Sequence, residues 1–79
     1  MTDAQIIAKL TAADPEFSMD IDLNIAWGNA KIKGTRITTE AVMLAFSNIP
    51  SASGIMRLFD LTAKQVNDCI LFYKTKHEN

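Results

Sequence analysis

The sequence predicts a mainly α-helical protein in which an N-terminal helix and a short strand-turn-strand segment precede three closely spaced helices. Three observations predict it. Apolar residues recur at i, i+3, i+4 and i+7 after Ile37, a spacing typical of amphipathic helices. Residues that cap helices stand in front of these segments. Glycine and proline number only three and two among 79 residues, and a hydrophobic fraction of 48% excludes general disorder.

The first predicted element is a short helix. Thr2 or Asp3 can accept hydrogen bonds from its free N–H groups, and Pro15 ends it because proline disfavours helix in the residue before it. Its apolar side consists of Ile6, Ile7 and Leu10.

The next predicted elements are extended. Residues 17–27 alternate apolar and polar side chains, which predicts a half-buried strand. Gly28 and Asn29 supply a turn, and Ile32 begins a second extended piece. We expect Gly34 to turn the backbone with a positive φ before residues 35–37 continue the extended path. The apolar members of the alternation are Met19, Ile21, Leu23 and Ile25.

Two short helices follow. Thr38 or Thr39 can cap the first, and Pro50 with Ser51 ends it and starts the next. The first helix carries Val42, Ala45, Phe46 and Ile49 on its apolar side, and the second carries Ala52, Ile55, Leu58 and Phe59.

The last helix has the strongest local pattern. Thr62 and Gln65 form a capping box, and Leu61 with Val66 occupies the positions of a hydrophobic staple. Cations near its end favour the negative pole of the helix dipole. The predicted buried stripe is Val66, Cys69, Ile70 and Tyr73, and the terminal cations are Lys74, Lys76 and His77.

Charge divides the chain unevenly. Residues 1–30 hold one base against five acids, a net charge of −4, and residues 31–79 hold seven bases against four acids, a net charge of +3. A basic C-terminal part suits phosphates or an acidic partner, although a solvated surface gives a similar pattern. No apolar run is long enough for a bilayer, no signal peptide is evident, and one cysteine suits the cytoplasm.

The segment from Lys31 to Ile37, Lys-Ile-Lys-Gly-Thr-Arg-Ile, resembles the "PVIRGTRI" block of the DUF433 family of small bacterial domains. The resemblance runs from about Ile21 to Tyr73 and includes the downstream helix spacing. This chain departs from the family's usual prolines at Ala30 and Thr38. It also departs from a glycine near Asn48-Ile49 and from a Tyr-Pro pair near Phe59-Asp60.

The resemblance implies a homeodomain-like domain of three helices over residues 19–79, the last two arranged as a helix-turn-helix. It does not account for residues 1–18, which the capping and apolar spacing described above assign to an N-terminal helix and linker. It also implies an antitoxin that binds a nuclease-like toxin and, as a secondary role, its own operator DNA. The short chain and its surplus apolar residues further predict a homodimer. Two alternatives stay open. In the first, the chain is a phage or mobile-element protein that uses this fold to inhibit a host complex. In the second, it is a purely structural dimer module.

Candidate site residues follow from the predicted helix faces. In a helix-turn-helix the second helix enters the major groove, so Lys64 and Asn67 are the expected base readers, although Asp68 opposes DNA contact. Arg36 can contact phosphate or tie the strand segment to the helices. The DNA-binding candidates are Lys64, Asn67, Lys74 and Arg36, and the structural motif consists of Gly34, Thr35, Arg36, Thr62 and Gln65.

Surplus apolar residues predict a protein interface. Four large apolar side chains lie beside the predicted buried stripes, and such clusters usually mark partner contacts. These partner-binding candidates are Met43, Leu44, Leu71 and Phe72. No nucleophile set, phosphate-binding glycine loop or metal-ligand spacing appears, so we expect neither catalysis nor a metal or cofactor.

Overall fold

A computed structural model describes residues 1–78 and contains four helices and a two-stranded antiparallel sheet. In chain order the elements are α1 (Asp3–Ala13), β1 (Met19–Asp20), β2 (Lys31–Ile32), α2 (Thr39–Phe46), α3 (Ala52–Phe59) and α4 (Ala63–His77). The mainly helical class and the strand-turn-strand segment before the last three helices are confirmed. No helix in this part of the chain combines the length and apolar content needed to cross a membrane.

Helix α1 begins as predicted at a threonine cap. The Thr2 hydroxyl accepts a hydrogen bond from the Gln5 N–H at 3.2 Å, and the Gln5 side chain returns one to the Thr2 N–H at 2.8 Å. This capping box satisfies N–H groups that the first turn leaves free. Ile6 is fully buried, whereas Ile7 and Leu10 are partly buried against the same core.

The long strand predicted over residues 17–27 is wrong beyond Asp20. Only Met19 and Asp20 pair with β2, opposite Ile32 and Lys31. The chain then turns because the Asp22 carboxylate accepts the Asn24 N–H at 2.9 Å and the Asp22 carbonyl accepts an N–H three residues later. Aspartate and asparagine favour such turns over continued strand. A short 3₁₀ turn over Ala26–Gly28 follows.

The turn after β2 has the predicted geometry. Gly34 has φ +77°, a conformation that glycine adopts without steric cost. The Thr35 hydroxyl donates to the Ile32 carbonyl at 2.8 Å and accepts the Ile37 N–H at 3.0 Å. The Ile32 N–H donates to the Ile37 carbonyl at 2.9 Å and closes the loop. Gly34 and Thr35 are therefore structural residues.

An ion pair between a buried lysine and a partly exposed aspartate joins the two strands. Lys31 is buried, and its Nζ lies 2.8 Å from Asp20 Oδ1. Desolvating an ammonium group is unfavourable without a partner of opposite charge. The observed register, in which Asp20 lies opposite Lys31, supplies this partner.

Helices α2 and α3 begin at the predicted caps. Thr38 accepts the Ala41 N–H at 3.1 Å, and Ser51 accepts the Gly54 N–H at 3.0 Å. Val42 and Ile55 are fully buried. The prediction that Ala52 and Leu58 lie on the buried side of α3 is wrong, since both residues are exposed.

The connection between α3 and α4 is tight and well capped. Asp60 adopts a left-handed conformation with φ 57°, which allows the Leu61 N–H to donate to the Met56 carbonyl at 2.9 Å. The predicted capping box of Thr62 and Gln65 is present, with bonds of 2.8 and 3.2 Å. Leu61 and Val66 are both buried, as a hydrophobic staple requires.

The buried face of α4 differs from the predicted stripe. Val66 and Cys69 are buried as expected, but Phe72 is 1% exposed whereas Tyr73 is 38% exposed. The reason is α1, which packs along α4 in the opposite direction. Eleven buried apolar residues form one core from both ends of the chain: Ile6, Phe17, Met19, Ala30, Ile32, Val42, Ile55, Leu61, Val66, Cys69 and Phe72.

Candidate protein-binding and DNA-binding surfaces

One side of α4 is occupied by the N-terminal segment of the chain. Lys64 Nζ, at the start of α4, lies 2.7 Å from Asp14 Oδ2, just after the end of α1. Lys76, in the last turns of α4, lies 3.2 Å from Asp3 Oδ1 at the start of α1. The two ion pairs therefore join α1 to α4 at both ends, and buried Phe72 occupies the same row of α4 at i+4 spacing.

Lys64 is bound by two carboxylates and is a weaker candidate for reading DNA than the sequence predicts. Its Nζ also donates to Asp68 Oδ2 at 3.0 Å, and the same oxygen accepts the Ser18 N–H at 2.9 Å. Asp68 is buried, and a buried carboxylate requires partners. The Lys64 ammonium and the Ser18 N–H compensate its charge. The resulting cluster, which we call the Lys64 clamp, consists of Asp14, Ser18, Lys64 and Asp68.

Titration of the clamp reflects these contacts. The hydrogen bond from Lys64 lowers the pKa of the Asp14 carboxyl, and the Glu16 N–H lowers it further. The hydrogen bonds to Asp14 and Asp68 raise the pKa of the Lys64 ammonium. Both shifts favour the charged forms that pair. The clamp is thus a structural connection that holds the segment before β1 against α4.

A neighbouring row of α4 is open to solvent. Asn67, Leu71 and Lys74 follow i, i+4 and i+7 and are all exposed. Two of the four predicted DNA-binding residues, Asn67 and Lys74, thus share one accessible face. Leu71 lies between them, so this row combines polar and apolar groups.

Arg36 is exposed and makes no side-chain ion pair or hydrogen bond within residues 1–78. The structural tie predicted for it is therefore wrong, because the turn is held instead by Thr35 and by backbone hydrogen bonds. Its guanidinium group lies at the surface, where a phosphate or carboxylate could reach it.

The predicted partner-binding residues separate into two groups. Leu44 on α2 is 71% exposed, Leu71 on α4 is 46% exposed, and Met43 is partly buried beside Leu44. Phe72 does not belong with them, because its ring lies in the core where α1 covers α4. We call Met43, Leu44 and Leu71 the α2–α4 apolar residues, after the two helices that carry them and pack together.

A cavity of about 260 Å³ lies near the C-terminal end of α4. Tyr73 and His77 lie on its wall with ring centroids 4.3 Å apart, so the exposed Tyr73 packs locally on its own helix. Asp3 and Lys76, which pair with one another, complete part of the lining.

The lone cysteine has a structural environment. Burial raises the pKa of the Cys69 thiol to about 11, an effect that the Thr39 hydroxyl partly opposes. A thiol with this pKa is almost fully protonated at neutral pH and is a poor nucleophile. Within the described part of the chain, no group of three or more histidine, cysteine, aspartate or glutamate side chains is placed to hold a metal ion.

Two features of these surfaces were not predicted from the sequence. The Lys64 clamp joins residues 50 positions apart, for which no local pattern exists. The exposure of Leu23 and Trp27 was also not predicted, because the alternation of apolar and polar residues indicated a half-buried strand. The sequence Asp22-Leu23-Asn24, whose two polar residues favour turns, was the available indication of the loop.

Comparison with known proteins gives one match. A family model described as "Protein of unknown function (DUF433)" matches residues 19–73, which includes β1, β2 and α2–α3 and most of α4. No curated protein and no solved structure matches the chain. The matched range begins at the first residue of β1, and α1 lies outside it.

Proposed function

This chain belongs to the DUF433 family, and we propose that it is an antitoxin-like protein that neutralises a nuclease-like toxin by binding it directly. The role is one of binding and not of catalysis. The observation that supports it most is the exposure of large apolar side chains on α2 and α4. Protein-binding surfaces are a common reason for such exposure.

The α2–α4 apolar residues are the proposed contact with the partner. Leu44 and Leu71 are both well exposed, although the chain has a core large enough to bury nine other side chains almost completely. Covering such residues on binding removes apolar surface from water, worth about 25 cal/mol per Å² before the costs of association. Lys74, one helical turn from Leu71, adds a positive charge that suits an acidic partner surface.

Operator DNA binding is a secondary part of the proposal. For DNA binding, we propose that α2, α3 and α4 form a homeodomain-like domain in which α3 and α4 are the helix-turn-helix. The short capped connection over Asp60–Thr62 supports this arrangement. Asn67 and Lys74 are then the residues of α4 that reach DNA, with Arg36 on a phosphate, whereas Lys64 is engaged by Asp14 and Asp68.

The proposal also includes a homodimer that acts in the cytoplasm. A chain of 79 residues gains stability from association more than a larger domain does, because it buries a smaller fraction of its surface on folding. Antitoxin function and cytoplasmic location fit together, since a nuclease acts where cellular RNA or DNA is accessible.

Co-expression tests the partner-binding half of the proposal. The protein encoded beside this chain's gene is expressed under control in a host cell, alone and together with the chain. We expect growth arrest by the neighbouring protein and rescue by the chain. Leu44→Asp and Leu71→Asp should abolish rescue while leaving the fold intact, whereas the matched control Leu58→Asp, an exposed leucine on α3, should rescue fully. Full rescue by both first variants would refute the assigned surface.

A DNA titration tests the operator half separately. Fluorescence anisotropy with the DNA upstream of the gene is measured at two salt concentrations. Lys74→Ala should weaken binding to all sequences and reduce the salt dependence by about one unit of slope, and Asn67→Ala should relax preference at one base. Lys64→Ala is unsuitable here because it also opens the clamp. Absence of binding at low salt would overturn operator binding and leave the protein-binding proposal standing.

A further inference from the structure

The loop between the two strands presents two large apolar side chains to solvent. Trp27 is 96% exposed and Leu23 is 84% exposed. Scattered exposed leucines are common on protein surfaces, but a fully exposed tryptophan beside one is unusual and marks a contact site more often than an accident of folding.

Hydrogen bonds and backbone geometry hold this loop in one shape. The Asp22 carboxylate and carbonyl accept the N–H groups of Asn24 and Ile25, and the Gly28 N–H donates to the Ile25 carbonyl at 3.2 Å. Trp27 itself has φ 59°, in the left-handed region that is unfavourable for a side chain of its size. The loop therefore holds the backbone of Trp27 in a conformation that is unfavourable for a side chain of this size.

Gly28 adds a second constraint on the loop. It has φ +75°, and a Cβ at this position would lie only 3.1 Å from Leu23 Cδ2. Glycine thus allows Leu23 to approach the backbone next to Trp27. The two exposed side chains form a preformed apolar projection, which reduces the ordering cost of binding.

An apolar groove lies on the outer side of α1 and reaches the start of this loop. Its volume is about 500 Å³, within the range of sites that bind small organic groups. Ile21 in its wall directly precedes the loop, so projection and groove occupy neighbouring parts of the surface. The lining residues are Ala4, Ile7, Ala8, Thr11, Ala12 and Ile21.

We propose that the groove binds Trp27 of a second copy of this chain, so that two copies exchange their projections in a two-fold symmetric dimer. Each copy carries both a projection and a groove, as a self-complementary interface requires. Inserting two tryptophans and two leucines against two grooves buries roughly 1,200 Å² in total, the lower limit for a specific stable interface.

This inference specifies the homodimer of the proposed function but does not use its partner-binding surface. Leu44 and Leu71 do not line the groove. A dimer formed through Trp27 therefore carries two copies of the α2–α4 apolar residues. Dimer formation and partner binding can be lost independently, so a failure of one proposal is distinguishable from a failure of the other.

The sole tryptophan makes the test direct, because intrinsic fluorescence reports on Trp27 alone. We expect its emission to shift to shorter wavelength and its quenching by acrylamide to fall as protein concentration rises, in parallel with a doubling of mass by sedimentation equilibrium. Trp27→Ala should raise the dimer dissociation constant at least about 30-fold, the effect typical of an interface hot spot. Leu58→Ala and Leu44→Asp should leave it unchanged.

The groove is tested by a variant on the other side of the interface. Ala8→Glu places a charge in the groove and should also give monomers, with a circular dichroism spectrum like that of the wild type. The Ala8→Glu variant keeps its Trp27 projection, and the Trp27→Ala variant keeps its groove. When the two variants are mixed, one projection can enter one intact groove, so measurable heterodimer should form. A monomer mass for the wild type at all concentrations would overturn the proposal. So would a dimer whose Trp27 emission does not change, or a mixture that stays monomeric.

Discussion

Replacing Phe72 and Tyr73 by alanine separately tests which face of α4 is buried. Phe72 is 1% exposed and lies on the row that packs against α1, so Phe72→Ala should destabilise the protein by about 3–5 kcal/mol through lost burial and the cavity left behind. Tyr73 is 38% exposed, and its ring packs on the His77 ring of the same helix. Tyr73→Ala should cost only about 0.5–1.5 kcal/mol.

These magnitudes are large relative to the total stability of a chain this size. At roughly 0.05–0.15 kcal/mol per residue, 79 residues give about 4–12 kcal/mol. In a domain of this size each kcal/mol lowers Tm by about 4–8 °C, so Phe72→Ala should lower Tm by at least about 12 °C and could unfold the chain. Phe72→Leu, which keeps most of the side-chain volume, should cost roughly 1 kcal/mol and provides a folded comparison.

Urea denaturation followed by circular dichroism measures both effects, with Tyr73→Phe as a control for loss of the hydroxyl alone. The expected order of destabilisation is Phe72→Ala, then Phe72→Leu or Tyr73→Ala, then Tyr73→Phe. If Tyr73→Ala proved more destabilising than Phe72→Ala, the packing of α1 on α4 described above would be refuted.

Three further predictions concern the clamp, the β2 turn and the thiol. Because pairing lowers the Asp14 pKa below its ordinary 3.8, its stabilising effect is present above that pH and is lost as pH falls through the lowered value; urea midpoints of wild type and Asp14→Asn should converge in acid. Gly34→Ala should cost about 1 kcal/mol or more in thermal melts, since φ +77° disfavours a Cβ even though the space is open, and an unchanged Tm would contradict this. Cys69, with a pKa of about 11, should react with iodoacetamide near pH 8 roughly a hundredfold more slowly than an unfolded-chain thiol, and equal rates would show that it is accessible.

Local sequence patterns predicted the helix starts well. The caps at Thr38, Ser51 and Thr62 and the positive φ of Gly34 each depend on residues within three or four positions, so the necessary partners are visible in the sequence. The same locality explains the error after Asp20. Alternation predicts a strand only if a neighbouring strand continues to pair, and the turn formed by Asp22 removes that pairing.

The buried face of α4 was predicted incorrectly for a different reason. A single apolar stripe predicts that a helix packs on one side only, but α4 contacts α1 on one side and α2 and α3 on others. The row containing Phe72 therefore became buried, and Lys64 became engaged with Asp14 from a distant part of the chain. Packing of this kind depends on long-range contacts that helical periodicity does not encode. For the same reason, Lys64 and Phe72, which were predicted to be accessible for DNA or a partner, have structural roles instead.

Isothermal titration calorimetry with the purified protein encoded by the adjacent gene measures directly whether the chain binds a toxin partner through α2 and α4. We expect the wild-type chain to bind this protein. The double variant Leu44→Asp with Leu71→Asp should abolish the heat of binding, whereas Asn67→Ala with Lys74→Ala should weaken binding far less. A negative heat-capacity change should accompany binding, as burial of apolar surface requires. Undiminished binding by the double aspartate variant would refute the assigned surface, and no binding by the wild type would refute the proposed antitoxin function.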